Sequence, residues 1–190
     1  VTGPSAVKIL GRLSGMSKNK LRTIKPRKAY KRSILDENNN LFDDVVVTLY
    51  KKPKSYTGED VLEISCHGSP YIMKYIIDLC INYGASPAGP GEFTKRAFIN
   101  GKIDLMQAES VANMVSASSH RGVNIALNGL RGSLSKEIGV MREELVDILS
   151  YSEHLLDVSE EDLTHVDVSY IIDKTAKTQK ILENLMKTYN

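Results

Sequence analysis

The spacing of the apolar residues changes partway along the chain, and this change constrains the fold more than any other feature. Up to about residue 101, apolar residues form short runs, such as VVVTLY at 45–50, or alternate with polar ones. From Leu105 onward they recur at the spacing of a helix face. A period of two is typical of strands, and a period of 3.6 is typical of helices. The change predicts an α+β domain at residues 1–101, followed by an all-α helical-bundle segment at residues 102–190.

The first half predicts a mixed sheet with helices. Residues 28–35 and 44–50 are typical of strands, and the turn-forming sequence DENNN between them predicts a hairpin. Residues 60–66 alternate, which predicts a third strand with Leu62 and Ile64 on one face and Glu63 on the other. Helices are expected at 4–10, at 69–83 and at 93–98. The middle helix carries the apolar stripe Met73, Ile76, Ile77 and Cys80.

The second half predicts helices throughout. Asp104 and Gln107 have the spacing of a capping box, with the aspartate in the capping role. Leu105, Ala108, Ala112 and Val115 then form an apolar stripe. We expect one long helix of about 25 residues from Gly129, an acidic break at residues 159–167, and a further amphipathic helix at residues 171–186.

The charge is distributed unevenly, although the chain of 190 residues has 25 Lys and Arg against 23 Asp and Glu. Residues 1–56 carry 13 Lys and Arg and 4 Asp and Glu, whereas residues 137–190 carry 5 and 12. Such a basic front attracts anionic ligands or RNA, but a solvated lysine-rich surface explains it equally well.

The composition of these residues and the absence of certain motifs from them exclude several classes of protein. Two cysteines are too few for a disulfide scaffold or a four-cysteine zinc site, so no metal site is expected. No apolar run approaches the roughly 20 residues of a membrane span, so no membrane contact is expected. The pattern Gly-x4-Gly-Lys-Ser/Thr of a phosphate-binding loop is absent from these residues.

Three residues are candidates for a binding site. Glu63 stands mid-strand, where a carboxylate can accept hydrogen bonds from an amide or amidine edge such as that of a pterin; the alternative is a glutamate that faces water. Lys102 follows a glycine and precedes a helix cap, so it is a loop cation that can meet an anionic group. His67 stands where a strand gives way to a helix, as a site residue or as a residue hydrogen-bonded in a turn. Lys95 and Arg96 are equally consistent with surface charges of a short helix.

Three segments together resemble one known family. PKSYTGEDVLE at 53–63, CHG at 66–68 and PGEFTKRAFINGKIDLMQAE at 90–109 are similar to the N-terminal region of the tRNA modification GTPase family MnmE, also called TrmE. The resemblance is weaker at residues 130–135 and 156–163. It implies a folate-binding-domain-like first domain that also forms a homodimer contact, and a helical domain that a GTPase domain interrupts.

The resemblance also implies ligands and partners. Glu63 would hold the pterin of a reduced folate such as 5-formyl-tetrahydrofolate, and Lys102 would be a further folate contact, with no catalytic residue in this chain. The family works with a flavin-dependent partner, MnmG (GidA), to modify C5 of the wobble uridine of tRNA. GTP, Mg²⁺ and K⁺ would bind only to the GTPase domain, so we expect these residues alone to lack GTPase activity. The expected compartment is the cytoplasm, with the mitochondrial matrix as the alternative.

Three other functions compete with this one. The chain can be a ligand-free dimerisation and helical interaction module, in which case it binds no folate. It can be a folate-dependent aminomethyl or methyl transferase, although the long helical half without a second β domain argues against that. It can also bind RNA directly through its basic front, which would give a steep dependence of affinity on salt.

Overall fold

The computed structural model describes residues 1–38, 40–156 and 165–188, and these divide into two compact units, Val1–Ser116 and Ala117–Asn190. The α+β class followed by a helical segment is confirmed. The domain boundary expected between residues 101 and 102 stays a prediction, and the division into compact units falls later in the chain.

The first unit contains three strands and five helices within its described residues. In chain order they are α1 Ala6–Leu13, α2 Lys18–Arg22, β1 Ala29–Leu35, β2 Leu41–Tyr50, β3 Val61–Ser65, α3 Pro70–Asn82, α4 Glu92–Ile99 and α5 Leu105–Ser116. The strands form one sheet in the order β1-β2-β3, antiparallel throughout. The predicted hairpin is confirmed, and its turn is held by Asp36, whose carboxylate accepts hydrogen bonds from the main chain of Asn38 and Asn40.

The core of the first unit lies on one face of this sheet. Along β2 the side chains of Val45, Val47 and Leu49 are buried, and the intervening residues are more exposed, as the pleat of a half-buried strand requires. Helices α1 and α3 supply the other side of the core. Their buried members include Ile9, Leu10, Leu13, Ile76 and Leu79. The opposite face of the sheet is therefore free to carry polar side chains.

The apolar stripe predicted for α3 is partly wrong. Ile76 and Cys80 are buried as expected, but Met73 is 44% exposed and Ile77 is 55% exposed. Leu79, at 1% exposed, completes the buried face instead. The periodicity of an apolar helix does not specify which side of the helix packs against the sheet. In the structure this is the side that carries Ile76, Leu79 and Cys80. Gly84 ends the helix as predicted, with φ +101 and with its main-chain N–H bonded to the oxygen of Ile81.

The second unit is helical in its described residues: α6 His120–Leu130, α7 Ser133–Leu156 and α8 His165–Thr188. The long helix of about 25 residues is confirmed as α7, which has 24 residues, but it begins at Ser133 and not at Gly129, because the chain turns at Gly132, which has φ +69. Within the acidic break predicted at residues 159–167, residues 159–164 lie outside the described residues, and the prediction is wrong for residues 165–167, which belong to α8. The helix predicted at residues 171–186 is confirmed as part of α8. The pair α7 and α8 packs through Met141 and Thr178, and the Thr178 hydroxyl donates to the Glu144 carboxylate at 3.2 Å.

Two further sequence predictions concern α5. The capping box is confirmed: the main-chain N–H of Gln107 donates to Asp104 Oδ1 at 2.9 Å, and the Asp104 N–H donates to Gln107 Oε1 at 3.0 Å. The apolar stripe is wrong as a buried face: Leu105 is 55% exposed, Val115 is 85% exposed and Ala112 is exposed as well, whereas Ser110 is the buried residue of α5. None of the described helices is both long enough and apolar enough to cross a membrane.

Replacing Leu10 by alanine tests the core. Leu10 is 0% exposed, so its removal leaves a cavity, and we expect Leu10→Ala to lower the free energy of unfolding by about 2–5 kcal/mol. Urea denaturation followed by circular dichroism measures this loss. Leu41→Ala is the control, because Leu41 is 66% exposed and should cost no more than about 0.5 kcal/mol. Equal losses in the two variants would show that α1 does not form the core.

Candidate functional site

Glu63 lies on the face of β3 that points away from the core, as the alternation predicts. Its neighbours in the strand, Leu62 and Ile64, pair with Leu49 and Val47 of β2 and face the core with them. The Glu63 side chain is exposed, and its Oε2 accepts a hydrogen bond from the hydroxyl of Tyr50 at 3.1 Å. This bond raises the pKa of Tyr50, because loss of the phenol proton would place two negative charges side by side. Glu63 is thus a solvent-accessible carboxylate with one fixed neighbour.

Lys102 lies over the turn that precedes β3. Gly58 in that turn has φ +77, and a Cβ atom there would be 3.1 Å from Lys102 Cγ. The backbone under Lys102 is fixed by the end of α4: the Gly101 N–H bonds to the oxygen of Phe98 at 2.9 Å, and the Lys102 N–H bonds to the oxygen of Ala97 at 2.8 Å. This is the Schellman pattern, with Gly101 at φ +66. The ammonium group extends from this fixed stem, and it forms no salt bridge with a carboxylate of the described residues.

Thr57 connects the turn before β3 to the N-terminal segment and to the loop after α4. Its side chain is fully buried, and its hydroxyl shares a 2.6 Å hydrogen bond with the hydroxyl of Thr2. Its main-chain oxygen accepts a 2.7 Å hydrogen bond from the side-chain amide of Asn100. Asn100 thereby connects the turn before β3 to the loop that carries Lys102. The turn and the loop are held in one arrangement because a buried polar group left without these bonds would be costly.

Arg96 strengthens the same connection. Its guanidinium donates to Glu92 of its own helix and to Glu59 of the turn, at 3.2 Å to Glu59 Oε2. Hydrogen bonds with Glu92 and then with Glu59 raise the pKa of Arg96. The sequence favoured neither role for Arg96, and the structure shows a half-buried ion-pair residue. The spacing of Glu92 and Arg96, four residues apart on a helix, is the signal that indicates this pair.

His67 is hydrogen-bonded in the turn after β3. Of its two predicted roles, a site residue or a residue hydrogen-bonded in a turn, the structure supports the second. Its Nδ1 lies 2.6 Å from Oδ1 of Asp43, and its main-chain N–H donates to Oδ2 of Asp43 at 3.2 Å. Asp43 occupies a core-facing position of β2 and is only 7% exposed. Burial raises the pKa of Asp43, but the two hydrogen bonds from His67, the electrostatic attraction to His67 and a hydrogen bond from the main chain of Asp44 together outweigh that effect and leave the pKa lowered. The histidine therefore compensates a buried carboxylate.

Neither cysteine belongs to a metal site in the part of the chain that the structure describes. Cys80 is buried in the core, where burial raises the pKa of its thiol, and Cys66 packs against the core. No group of three His, Cys, Asp or Glu side chains is suitably placed to hold a metal ion among the described residues. Both cysteines serve as small apolar residues, as the sequence predicts.

Two cavities of the first unit have linings that include neither Glu63 nor Lys102. One, of about 650 Å³, is lined by residues of the N-terminal segment, by Arg96 and by apolar side chains of α3 such as Ile77. The other, of about 780 Å³, lies between α1 and α2. Glu63 and Lys102 line neither. The side chain of Lys102 lies against Gly58, and the five residues from Gly58 to Glu63 span at most about 17 Å when extended.

Comparisons with known proteins place the chain in a family. The family model described as GTP-binding protein TrmE N-terminus matches residues 1–102, and the MnmE helical domain model matches residues 105–190. The chain is 40% identical over 190 residues to the tRNA modification GTPase MnmE of Alkaliphilus metalliredigens, covering 99% of this chain. It is 43% identical over 167 residues to the protein of that name from Aquifex aeolicus, covering 88% of this chain.

These matches define a class and then a family. The class is an α+β domain joined to a helical domain, as found in tRNA modification GTPases. The chain belongs to the MnmE (TrmE) family. It spans 41% of the length of the Alkaliphilus metalliredigens relative and 37% of the Aquifex aeolicus relative.

Replacing Gly58 by alanine tests whether the turn supports Lys102. The new Cβ would crowd Lys102 and Asn100, each with an atom 3.1 Å away, in addition to straining the backbone. We expect Gly58→Ala to lower the free energy of unfolding by about 1–3 kcal/mol. Gly91→Ala is the matched control, since Gly91 has φ +72 but a Cβ atom added there would meet no other atom within 4 Å. Equal losses in urea denaturation would attribute the effect to backbone strain alone.

The bond between Asp43 and His67 predicts a dependence of stability on pH. A carboxyl group whose pKa is lowered by folding stabilises the protein above its unfolded pKa, which is about 3.9 for aspartate, and this contribution is lost as the pH falls through the lowered value. We expect the stability difference between the native chain and Asp43→Asn to be largest above about pH 5 and to shrink below about pH 4. Thermal unfolding at several pH values measures it.

Asp78→Asn controls for the loss of a charge alone, because Asp78 is exposed on α3. A difference between the native chain and Asp43→Asn that stays constant from about pH 7 to about pH 2 would contradict the assigned role of His67.

Proposed function

We propose that this chain is the folate-binding and dimerising part of a tRNA-modifying GTPase. The complete enzyme would work with the flavin-dependent partner MnmG (GidA) and modify C5 of the wobble uridine of tRNA. The observation that carries this proposal is the match of both family models and of relatives named tRNA modification GTPase MnmE over nearly all of the chain. The cytoplasm is the proposed compartment, with the mitochondrial matrix as the alternative.

The chemistry of Glu63 fits a reduced folate. The pterin ring of a folate presents adjacent N–H donors, and an ionised carboxylate is an acceptor with two oxygens. Glu63 offers such a carboxylate on the exposed face of β3, with Tyr50 bonded to one of its oxygens. The strand backbone fixes the position of the carboxylate, so its role is to bind and orient the ring.

Lys102 fits the opposite end of the same ligand. A folate carries a glutamate tail, and an ammonium group is complementary to its carboxylates. The stem of Lys102 rests on the Gly58 turn, and Asn100 ties its loop to Thr57.

A bound folate would supply a one-carbon group, and the chain's own residues would hold it in place. The tRNA chemistry and the hydrolysis of GTP, with Mg²⁺ and K⁺, are assigned to the GTPase domain and to the partner protein. These residues alone are proposed to have no GTPase activity. The two units would transmit a conformational change between the sites.

A ligand-free dimerisation and helical interaction module is the second candidate. Neither Glu63 nor Lys102 lines a cavity of the first unit that the structure describes, which favours this candidate, because ligands usually bind in concave sites. Exposed apolar side chains on α3, including Tyr71 at 70% and Ile77 at 55%, provide surface that an interface would bury. Homodimerisation is common to both candidates, so folate binding distinguishes them.

Calorimetric titration with 5-formyl-tetrahydrofolate tests the proposal. We expect saturable binding, which Glu63→Gln weakens by about tenfold to a hundredfold, since a hydrogen bond to a charged group contributes about 1.5–3 kcal/mol. Glu63→Gln preserves the size of the side chain, so a loss of affinity reports the charge. Lys102→Ala should also weaken binding, by a smaller factor, because its ammonium is exposed.

Glu109→Gln is the matched control, because Glu109 is an exposed glutamate on α5 and should leave the affinity unchanged. Absence of saturable binding by the native chain would favour the ligand-free module. Binding that is equally strong in the native chain and in Glu63→Gln would place the folate elsewhere.

A further inference from the structure

The cavity between α1 and α2 is strongly basic. We call it the basic cavity; it has a volume of about 780 Å³, and its cationic lining residues are Lys8, Arg12, Lys18, Arg22 and Lys51. Its lining contains no aspartate or glutamate of the described residues. The charge excess that the sequence shows over residues 1–56 is therefore concentrated, in part, around one concave site.

The arrangement of these cations is unfavourable without an anion. Lys8 and Arg12 are four residues apart on α1, and Lys18 and Arg22 are four residues apart on α2. Like charges at this spacing destabilise a helix. Among the described residues, no carboxylate forms a salt bridge with any of these four, whereas Lys51 is paired with Asp60 at 2.8 Å. The guanidinium of Arg12 lies over the Tyr83 ring, at 5.7 Å from its centroid. The positive charge of all four cations is therefore not neutralised by a carboxylate of the described residues.

Apolar side chains also line the basic cavity. Val7, Met16 and Leu21 line it and are partly buried, and Ile24 is buried. A free phosphate ion would form ion pairs with the cations but would leave these apolar side chains exposed to water. A nucleic-acid strand offers both parts, because its phosphates carry the charge and its riboses and bases carry the apolar surface.

We propose that the basic cavity binds the sugar–phosphate backbone of tRNA. The proposal rests on the proposed function, since a tRNA-modifying enzyme must hold its substrate. It adds a contact site for that substrate in the first unit. The contact positions the RNA by its backbone and reads no base sequence.

The test compares two double variants by the affinity of the 190-residue chain for a tRNA transcript at several salt concentrations. Lys8→Ala with Arg22→Ala removes one cation from each helix of the basic cavity. Lys25→Ala with Lys28→Ala removes two exposed cations of the same basic front that do not line the cavity. Both variants lose the same net charge, so a general attraction to RNA would affect them equally.

We expect the cavity variant to bind tRNA at least about tenfold more weakly and to lower the slope of log K against log salt by about 2, because each removed cation neutralises one phosphate in the native complex. The control variant should change the affinity less than about twofold. Equal decreases in the two variants, or no decrease in either, would overturn the proposal. Unfolding midpoints in urea establish that both variants are folded, and removal of repelling charges should not lower them.

Titration of the cavity variant with 5-formyl-tetrahydrofolate separates this inference from the folate site. We expect folate affinity to be unchanged, since Glu63 and Lys102 line neither cavity. If the native chain binds no folate but the tRNA results are as expected, the folate assignment fails and the basic cavity stands. If the native chain binds folate but shows no measurable tRNA affinity at about 50 mM salt, the basic cavity proposal fails alone.

Discussion

The packing of one face of the three-stranded sheet against α1 and α3 is the constraint on which the first unit depends. Val45, Val47 and Leu49 face this core, so by the period of two the alternate residues must face outward. In β3 the same rule places Leu62 in the core and Glu63 outside. The outward carboxylate is thus a consequence of the core, because a shift of one residue in the pairing would bury Glu63 and expose Leu62.

The first unit also depends on a set of hydrogen bonds and ion pairs around the turn before β3. Thr57 is fully buried and is bonded to Thr2 and Asn100, while Arg96 bonds to Glu59 in the same turn. These bonds join segments that are distant from one another in the chain. They hold the loop of Lys102 against the turn that leads into β3, so the segments at residues 53–63 and 90–109 contact each other there.

The sequence predicted the elements of the structure better than their surroundings. The hairpin, the third strand and the capping box of Asp104 and Gln107 depend on local spacing and turn chemistry, and all three are confirmed. The buried face of α3 was predicted correctly only in part, and the turn at Gly132 was not predicted. An apolar helix is compatible with several buried faces, and a glycine inside a helical pattern is compatible with continuation or with a turn.

Local sequence patterns predicted the three strands, the helices other than α2 and α6, the outward position of Glu63 and the concentration of positive charge in residues 1–56. Periodicity and composition are local properties, and they suffice for these features. Only the tertiary structure decided that Arg96 is an ion-pair residue, that His67 compensates the buried Asp43, and that four cations with no carboxylate partner among the described residues surround one cavity. Each of these depends on contacts between different elements, namely Arg96 with Glu59, His67 with Asp43, and α1 with α2. A local sequence pattern does not record the energies of such contacts.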